Sequence, residues 1–201
     1  MKVLIAGEES QAICIAFRKR GHEAYSCDLQ PCSGGHPEWH IQGDWIKPIT
    51  SCIWDLIIFH PVCDYMALSG NRWYGWGTSG YYLRCEAIDY TIKIWAKIKK
   101  HAKRATMENP LSVLWSHISE PVQYVQPHYF GDPYFKKTGL ALYNLPELIP
   151  TNRLNVPQKG TEENKRWSFC HRCPPGPNRK RDRSKTHPGI AEAMAEQWGK
   201  I

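Results

Sequence analysis

The chain opens with a strand–helix–strand pattern, and this feature limits the folds available to it more than any other. Residues 3–6 form a short apolar run that ends at Gly7, and residues 11–20 carry apolar side chains at helical spacing. Residues 24–27 form a second predicted strand. Because a connection of this length joins two strands by a right-handed crossover, the strands are predicted to be a parallel pair in one sheet.

The rest of the chain continues this alternation. The run WDLIIF at 54–59 is apolar on both faces, as expected of a buried parallel strand, and it leads directly to Cys63. The other predicted elements are a short third strand closing at 43–44, a helix at 86–101, strands at 105–107 and 140–142, a final helix at 190–198, loops at 31–40 and 64–82, and irregular chain from 151 to the final helix. The sequence therefore predicts an α/β fold, with a mostly parallel sheet flanked by helices and ligands bound beyond the carboxyl ends of its strands.

The length of 201 residues predicts a single domain over 1–201. No run of about 18 apolar residues is present, and the N-terminus turns polar too early for a secretory signal, so we expect a cytoplasmic protein without a membrane span. The eight cysteines are scattered through a chain that can build its own core, which favours reduced thiols over a disulfide framework.

The positive charge is concentrated near the C-terminus. Residues 165–185 contain eight lysines and arginines and one acid, Asp182, which together account for the whole formal net charge of +7. This charge lies within 152–187, a basic segment predicted to be irregular and to form a minimal DNA-contacting region. The residues predicted to contact phosphates are Arg179, Lys180, Arg181, Arg183 and Lys185. A solvated basic loop that only aids solubility is the alternative.

Gly7 and Asp28 have the spacing of a nucleoside site, in which an acid at the end of the second strand accepts hydrogen bonds from ribose hydroxyls. The second and third glycines of a dinucleotide-binding loop are absent, which argues against a bound pyrophosphate. S-adenosylmethionine has no phosphates and is compatible with such a loop. A plain tight turn at Gly7 is the alternative interpretation.

Four motifs carry a resemblance to a known enzyme family. They are HPVCDYMALSG at 60–70, MENP at 107–110, QPHYFGDPYFKKTGLALYNLPELIPT at 126–151 and RSKTHPGIAEAMAEQWG at 183–199. They look like the HPPC-x-x-x-x-x-SG, ENV/ENP, QPxxFG…KxTxLWLxxLPxLxPT and R-S-x-T-x-P-G-I-A motifs of the phage-type DNA cytosine-5 methyltransferases, in the same order along almost the whole chain. The chain therefore resembles a short member of that family, without a full target-recognition domain and encoded by a phage or prophage. The resemblance implies a Rossmann-like, S-adenosylmethionine-dependent methyltransferase fold.

The resemblance implies a role for each matching residue. Cys63 is the implied nucleophile toward carbon 6 of cytosine, and Glu108 holds the exocyclic amine and ring nitrogen 3. Asn109 and Pro110 fix the turn that aims the Glu108 carboxylate. The residues implied to bind S-adenosylmethionine are Gly7, Glu8, Glu9, Ser10, Asp28, Leu29, Asp44 and Pro61. The segment 184–186 is implied to close near cofactor and substrate.

Four chemical expectations follow. A strand-end position beside helix N-termini is expected to lower the pKa of the Cys63 thiol. Glu108, protonated or sharing a proton with ring nitrogen 3, is expected to stabilise the charge that develops on the ring. His60 is expected to be a packing residue rather than a general base. If the substrate is duplex DNA, the target base has to flip out of the stack.

The sequence leaves other functions open. One is a catalytically impaired, nucleic-acid-binding protein with a methyltransferase fold, and another is a different carbon-5 modification of a pyrimidine, such as hydroxymethylation of a free nucleotide. The rival interpretation of the cysteines is a zinc site formed by Cys170, Cys173, Cys27, Cys32 and His36 or His171. Because only one C-x-x-C pair is present, the sequence predicts no metal.

Overall fold

The structure, a computed structural model, describes residues 1–176 and 179–201, apart from the side chains of His171, Lys180, Arg181 and Asp182. The strands are β1 (Lys2–Ala6), β2 (Glu23–Asp28), β3 (His40–Gln42), β4 (Trp54–Phe59), β5 (Ala102–Pro110), β6 (Val122–Val125) and β7 (Thr138–Tyr143). The helices are α1 (Ala12–Lys19), α2 (Ile46–Thr50), α3 (Asn71–Tyr74), α4 (Tyr81–His101), α5 (Glu162–Trp167), α6 (Phe169–Arg172), α7 (Arg179–Ser184) and α8 (Pro188–Trp198).

The strands of the described chain form one sheet in the order β3-β2-β1-β4-β5-β7-β6. All pairs from β3 to β5 are parallel, whereas β7 runs antiparallel to both β5 and β6. The predicted α/β fold with a mostly parallel sheet flanked by helices is confirmed. The parallel pair predicted from the opening strand–helix–strand unit is also confirmed, with Lys2 opposite Glu23 and Ala6 opposite Cys27.

The two faces of the sheet carry separate apolar cores. On one face, α1 and α8 cover side chains of β1 and β4 that include Ile5 and Ile58. On the other face, the core contains Leu4 and Ile57 together with side chains of α2 and α4. Burial of these apolar side chains is the main force that holds the helices against the sheet. The apolar face predicted for the last helix is buried, and its Trp198 is fully buried.

The order of strands reverses between β1 and β4. The chain builds β2 and β3 on one side of β1, and then crosses to place β4 and β5 on the other side. In open α/β sheets, ligands bind in the crevice at such a point, beyond the carboxyl ends of the strands. The segments that follow β1 and β4 begin at Gly7 and His60, and they border this crevice.

The region 64–82 is more ordered than the predicted loop, because α3 lies within it and α4 begins at Tyr81 rather than at residue 86. The side chain of Arg84, in the first turn of α4, is buried. Its guanidinium donates hydrogen bonds to the carbonyl oxygens of Tyr65 (2.7 Å) and Ala67 (3.3 Å), which fixes the start of the helix against the preceding segment. Such long-range contacts carry no periodic signal in the sequence.

Two further differences concern the second half of the chain. Strand β6 has no counterpart in the sequence prediction, because a four-residue run carries little periodic signal. The segment 152–187 is not irregular throughout, since it contains the short helices α5, α6 and α7. Burial of Trp167 against Phe135, with 5.4 Å between ring centroids, anchors α5 to the loop before β7. No helix in the described ranges is long and apolar enough to span a membrane.

Candidate functional site

The loop after β1 touches the loop after β4 at Gly7. This residue has a positive φ of 86°, and a Cβ atom added to it would lie 2.4 Å from the carbonyl oxygen of His60. Both the backbone conformation and the contact exclude a side chain, so only glycine fits here. The predicted turn at Gly7 therefore also brings the two strand ends of the crevice into direct contact.

Glu8 forms the N-terminal cap of α1. Its carboxylate accepts hydrogen bonds from the backbone amides of Ile13 (2.7 Å) and Cys14 (3.2 Å), while the side chain of Gln11, at the conventional cap position, makes no capping bond. Burial raises the pKa of Glu8, opposed by the nearby His60 and by these two hydrogen bonds. The helix N-terminus, a natural anion site, is therefore occupied by the protein's own carboxylate.

The glycine-containing loop 31–40 packs against the residues after Glu8. The amide of Ser33 donates to the carbonyl oxygen of Glu9 (3.0 Å), and the side chain of Gln11 exchanges two hydrogen bonds with the backbone of His36. A Cβ atom at Gly34 would lie 2.7 Å from the carbonyl oxygen of Ser10. The predicted cofactor residues Glu9 and Ser10 thus lie beneath this loop, at the start of α1.

Asp28 and Asp44 lie together at the ends of β2 and β3. The amide of Gly43 donates to the carbonyl oxygen of Asp28 (2.8 Å), and both carboxylates are near enough to Cys27 to add to the effect of burial, which raises the pKa of Cys27 to about 12. Each carboxylate accepts one backbone amide two residues further on. Leu29 is 64% exposed beside them. These three predicted cofactor residues therefore share one edge of the sheet.

A cavity of about 330 Å³ opens on the α4 side of this edge. Its wall includes Trp45, Pro61, Val62, Tyr65 and Leu83. Pro61 is a predicted cofactor residue, and Trp45 directly follows another, Asp44. The indole Nε1 of Trp45 is buried and has no hydrogen-bond partner within the described part of the chain. A mostly apolar cavity of this size is suited to a small organic ligand.

Cys63 lies on the loop that follows β4. Its carbonyl oxygen accepts the amides of Met66 (3.1 Å) and Ala67 (3.0 Å), which turns the chain sharply after the cysteine. Burial raises the pKa of the Cys63 thiol, the charges of Asp64 and Glu108 raise it further, and the charge of Lys136 acts in the opposite direction. The expected lowering of this pKa is therefore wrong for the protein alone, because burial and the two carboxylates outweigh the charge of Lys136.

Glu108 is paired with His60. Its Oε2 lies 2.6 Å from Nδ1 of His60 across the neighbouring ends of β4 and β5. Burial alone raises the pKa of Glu108, but the hydrogen bond from His60 and the charge of Lys136 outweigh it and hold the pKa at about 2. Glu108 is therefore ionised in the free protein, and the proton that it is expected to hold or share with ring nitrogen 3 stays a prediction for the complex with the base. His60 is a hydrogen-bonding partner of the site rather than only a packing residue.

Asn109 and Pro110 do not form the predicted turn. They continue β5, opposite Gly139 and Thr138 of β7, so the antiparallel pairing and not a proline turn fixes the direction of Glu108. Successive strand residues point to opposite faces, and the buried Asn109 amide is therefore directed away from the Glu108 side. Neither polar atom of that amide has a hydrogen-bond partner among the residues described.

Lys136 and His187 are two further residues of the site, and the sequence prediction did not include either. The Lys136 charge acts on Cys63, Glu108 and His187, and its Nζ donates to the carbonyl oxygens of Ser184 (3.1 Å) and Lys185 (3.0 Å). The segment 184–186 therefore lies beside the site, in agreement with the position implied for it. The signal for Lys136 was present in the sequence, as the lysine of the K-x-T motif.

The His187 imidazole is held neutral at the edge of the site. Burial and the charge of Lys136 lower its pKa to about 4, against a smaller opposite effect of Glu108. Between about pH 6.5 and 4 the unfolded chain binds this proton more readily than the folded one, so the free energy of unfolding falls as the pH decreases through this window, by up to about 3 kcal/mol. His187→Gln is expected to remove most of this loss. Urea unfolding at pH 7 and 4.5 measures it.

The control for this prediction is His117→Gln, which changes an exposed histidine in the same way. It is expected to retain the pH dependence of the wild type. Equal pH dependence of unfolding in the wild type and in His187→Gln would show that His187 carries no such proton linkage.

The basic residues of the C-terminal segment are only partly described. Arg179 donates from Nε to the carbonyl oxygen of Cys173 (2.9 Å), Arg183 is half-buried and Lys185 is exposed. The side chains of Lys180 and Arg181, two of the predicted phosphate contacts, lie outside the described residues.

Within the described side chains, which exclude that of His171, no three histidines, cysteines or acids are arranged to hold a metal. Cys173 is buried and Cys170 is partly buried, and each of the eight cysteines is a free thiol. Cys27 is instead enclosed in the core beside Gly43, whose carbonyl oxygen accepts its thiol at 3.6 Å.

The site thus combines a thiol, an ionised carboxylate held by an imidazole, a lysine, and a cavity that opens at the same edge of the sheet. No protein-family model matches this chain, and no curated protein is significantly similar to it. The chemistry of these side chains, together with the motifs that contain them, is therefore the basis for assigning a function.

Proposed function

We propose that this chain is an S-adenosylmethionine-dependent DNA cytosine carbon-5 methyltransferase, encoded by a phage or prophage, with Cys63 as its nucleophile. One observation carries the proposal: Cys63, on the loop that follows β4, and Glu108, near the end of the neighbouring parallel strand β5, come from two separate motifs and lie close enough for the Glu108 charge to raise the Cys63 pKa. The methyltransferase fold is part of the proposal, and the doubly wound order β3-β2-β1-β4-β5 supports it.

Cytosine carbon 5 becomes nucleophilic only after a thiolate has added to carbon 6. In the proposed reaction the Cys63 sulfur forms a bond to carbon 6, and the electron pair of the C5–C6 double bond becomes available at carbon 5. Carbon 5 would take up the methyl group that the bound cofactor supplies, and the electron pair of the broken methyl–sulfur bond would remain on the cofactor sulfur. Loss of the carbon-5 proton to a solvent base and departure of the Cys63 sulfur then restore the double bond and the free enzyme. Lys136 is the cation that offsets the charge of the Cys63 thiolate and of nearby carboxylates.

Glu108 provides the contact to the base. Its Oε2 accepts a hydrogen bond from His60, whereas its Oε1 accepts none from the described residues and is left for the base. An ionised carboxylate oxygen accepts a hydrogen bond from the exocyclic amine of cytosine. Because Glu108 is ionised, Nδ1 of His60 donates the proton in the 2.6 Å hydrogen bond, and this bond fixes the direction in which the carboxylate faces the proposed base.

The residues at the sheet edge fit S-adenosylmethionine. Gly7 allows the loop after β1 to pack directly against His60 at the end of β4, and the apolar cavity beside Trp45 and Pro61 is of a size that a purine requires. Asp28 and Asp44 are placed to accept hydrogen bonds from ribose hydroxyls and from an adenine amine. When bound, the cofactor supplies a methyl group on a positively charged sulfur, which favours the nearby thiolate. The Glu8 carboxylate is committed to α1 and holds the loop instead.

The proposed nucleic-acid contacts predict a specific salt dependence. On duplex DNA, each phosphate neutralised by the protein contributes about −0.9 to the slope of log affinity against log salt. Replacing Arg179, Arg183 and Lys185 together with alanine is expected to make the slope shallower by up to about 2.7. Fluorescence anisotropy of a labelled duplex at several salt concentrations measures the slope.

The matched control replaces Lys93, Lys97 and Lys100 with alanine, which removes the same charge from the exposed side of α4. This control is expected to leave the slope near that of the wild type, because long-range effects of exposed charge are screened by salt. Equal slopes for all three proteins would remove the basic segment from the interface.

One observation favours the alternative function, a nucleic-acid-binding protein without turnover. The raised pKa of Cys63 means that the free protein holds its candidate nucleophile as a thiol. If no bound ligand lowers the pKa of Cys63 again, the protein binds nucleic acid but its thiol does not add to carbon 6 of cytosine.

Analysis of DNA from a bacterial host without its own cytosine methyltransferases tests the proposed function. Expression of the wild type is expected to produce 5-methyldeoxycytidine, detected by mass spectrometry and located by bisulfite sequencing. The same host expressing Cys63→Ala gives the background level of 5-methyldeoxycytidine. Host DNA without any modified cytosine contradicts the assignment, and a hydroxymethyl product would identify the other carbon-5 chemistry.

A further inference from the structure

The segment between Cys63 and α4 exposes an unusual amount of aromatic surface. Trp76 is 86% exposed, Trp73 is 59% exposed and Tyr82 is 60% exposed. We name these three side chains the aromatic platform. All three lie within the short segment 73–82, where Trp76 also packs edge-on against Tyr81 with 5.2 Å between ring centroids. Several large apolar side chains exposed in one segment mark an interaction site more often than isolated ones do.

The platform rests on an ordered base. The buried guanidinium of Arg84 bonds the carbonyl oxygens of Tyr65 and Ala67, and its NH1 donates to the side chain of Asn71 (2.7 Å) at the start of α3. The hydroxyl of Thr78 donates to the carbonyl oxygen of Trp73 (2.8 Å), which closes the loop that carries Trp76. The exposed rings are therefore held by internal hydrogen bonds.

The platform is joined to the proposed nucleophile. Ala67, which Arg84 fixes, also donates its amide to the carbonyl oxygen of Cys63 (3.0 Å). Residues 65–82 include Arg72 and contain no aspartate or glutamate. The Arg72 guanidinium lies 5.6 Å from the ring centroid of Trp73, so the platform combines a cation with exposed aromatic rings.

We propose that the aromatic platform binds unpaired bases of a DNA strand, and that the chain therefore prefers single-stranded or locally opened DNA to an intact duplex. This inference rests on the proposed function and specifies its substrate. Exposed aromatic rings stack with bases of any sequence, and a neighbouring basic groove follows the backbone. The basic segment bound to Lys136 lies at the same edge of the sheet as Cys63, and no acidic side chain within 65–82 repels phosphates.

Binding of labelled oligonucleotides tests the inference. The probes are a single-stranded 20-mer, the matching duplex, and the same duplex with a three-nucleotide bulge. The variants are Trp73→Ala, Trp76→Ala and the conservative Trp76→Phe, and Tyr124→Ala on β6 is the control for loss of an exposed ring. The wild type is expected to bind the single strand and the bulged duplex more tightly than the intact duplex.

Each tryptophan-to-alanine change is expected to weaken single-strand binding by about 5-fold to 150-fold, in line with the stacking contribution of one base. Trp76→Phe is expected to restore most of the affinity, and the salt slope is expected to stay unchanged because no charge is removed. Tyr124→Ala is expected to bind like the wild type.

The outcomes separate this inference from the proposed function. Single-strand binding that is equal in the wild type and both alanine variants overturns the platform while leaving the methyltransferase proposal intact. Platform-dependent binding without any cytosine modification supports the platform and removes the enzymatic function. Sedimentation velocity tests whether a second copy of the chain binds to the platform instead of DNA. A wild-type dimer that Trp76→Ala dissociates, with the affinity for oligonucleotides unchanged, would overturn the inference in favour of such a dimer.

Discussion

Replacement of Cys63 with alanine is expected to lower the rate of cytosine methylation by about 10⁴-fold or more, because the sulfur that adds to carbon 6 is removed. Two of the other thiols are too deeply buried to substitute for it. Cys14 and Cys27 are buried in the core, and burial is the main reason why the pKa of each is raised to about 12. The measurement is the initial rate of labelled methyl transfer from S-adenosylmethionine to DNA.

The matched control is Cys85→Ala, which removes an exposed thiol from α4. It is expected to retain the wild-type rate. A Cys63→Ala protein that is folded, binds DNA and still methylates it within about 10-fold of the wild type would exclude Cys63 as the nucleophile.

Glu108→Gln is expected to lower the same rate by about 10²-fold to 10³-fold, because glutamine keeps the shape of the side chain but removes the charge that accepts the cytosine amine. The loss is not expected to add to that of Cys63→Ala in the double variant, since the two groups act in one step. The same substitution has an opposite effect on the free protein. Removing the Glu108 charge lowers the pKa of Cys63, so iodoacetamide is expected to alkylate Cys63 faster in Glu108→Gln than in the wild type at pH 8.

These two readouts distinguish the chemical role of Glu108 from a structural one. A misfolded variant would also lose methylation, but it would expose every buried thiol, so iodoacetamide would alkylate all of them faster and not Cys63 alone. The control is Glu147→Gln, which changes an exposed acid in the segment after β7. It is expected to change neither the methylation rate nor the alkylation rate. An unchanged methylation rate in Glu108→Gln would contradict the assigned contact to the base.

Local patterns in the sequence predicted the elements that hold the site. The run at 54–59 coincides with β4, and the opening unit coincides with β1, α1 and β2, because a buried parallel strand and a short amphipathic helix each have a distinct apolar pattern. Gly7, Asp28, Asp44 and Cys63 were therefore placed at the correct edge of the sheet. The excess of positive charge at 165–185 needs no structure to be recognised, because it is counted directly from the sequence.

The environment of the site could not be predicted in the same way. The pKa values of Cys63 and Glu108 depend on His60 and Lys136, which are separated in sequence and meet only through the sheet and the loop before β7. The strand role of Asn109 and Pro110 depends on β7, about 30 residues later, since proline alone suggests a break. The exposure of Trp76 depends on the fold of the whole preceding segment. Each of these features results from long-range contacts.

The most direct test of the central claim is the trapping of a covalent complex on DNA that contains 5-fluorocytosine, because fluorine at carbon 5 prevents the final loss of that substituent and keeps the Cys63 sulfur bound to carbon 6. Single-stranded and duplex forms are incubated with the protein and S-adenosylmethionine and then denatured. The wild type is expected to give a complex that survives denaturation, and Cys63→Ala is expected to give none. The absence of a complex from the wild type, or a complex that persists in Cys63→Ala, would contradict the assignment of Cys63 as the nucleophile.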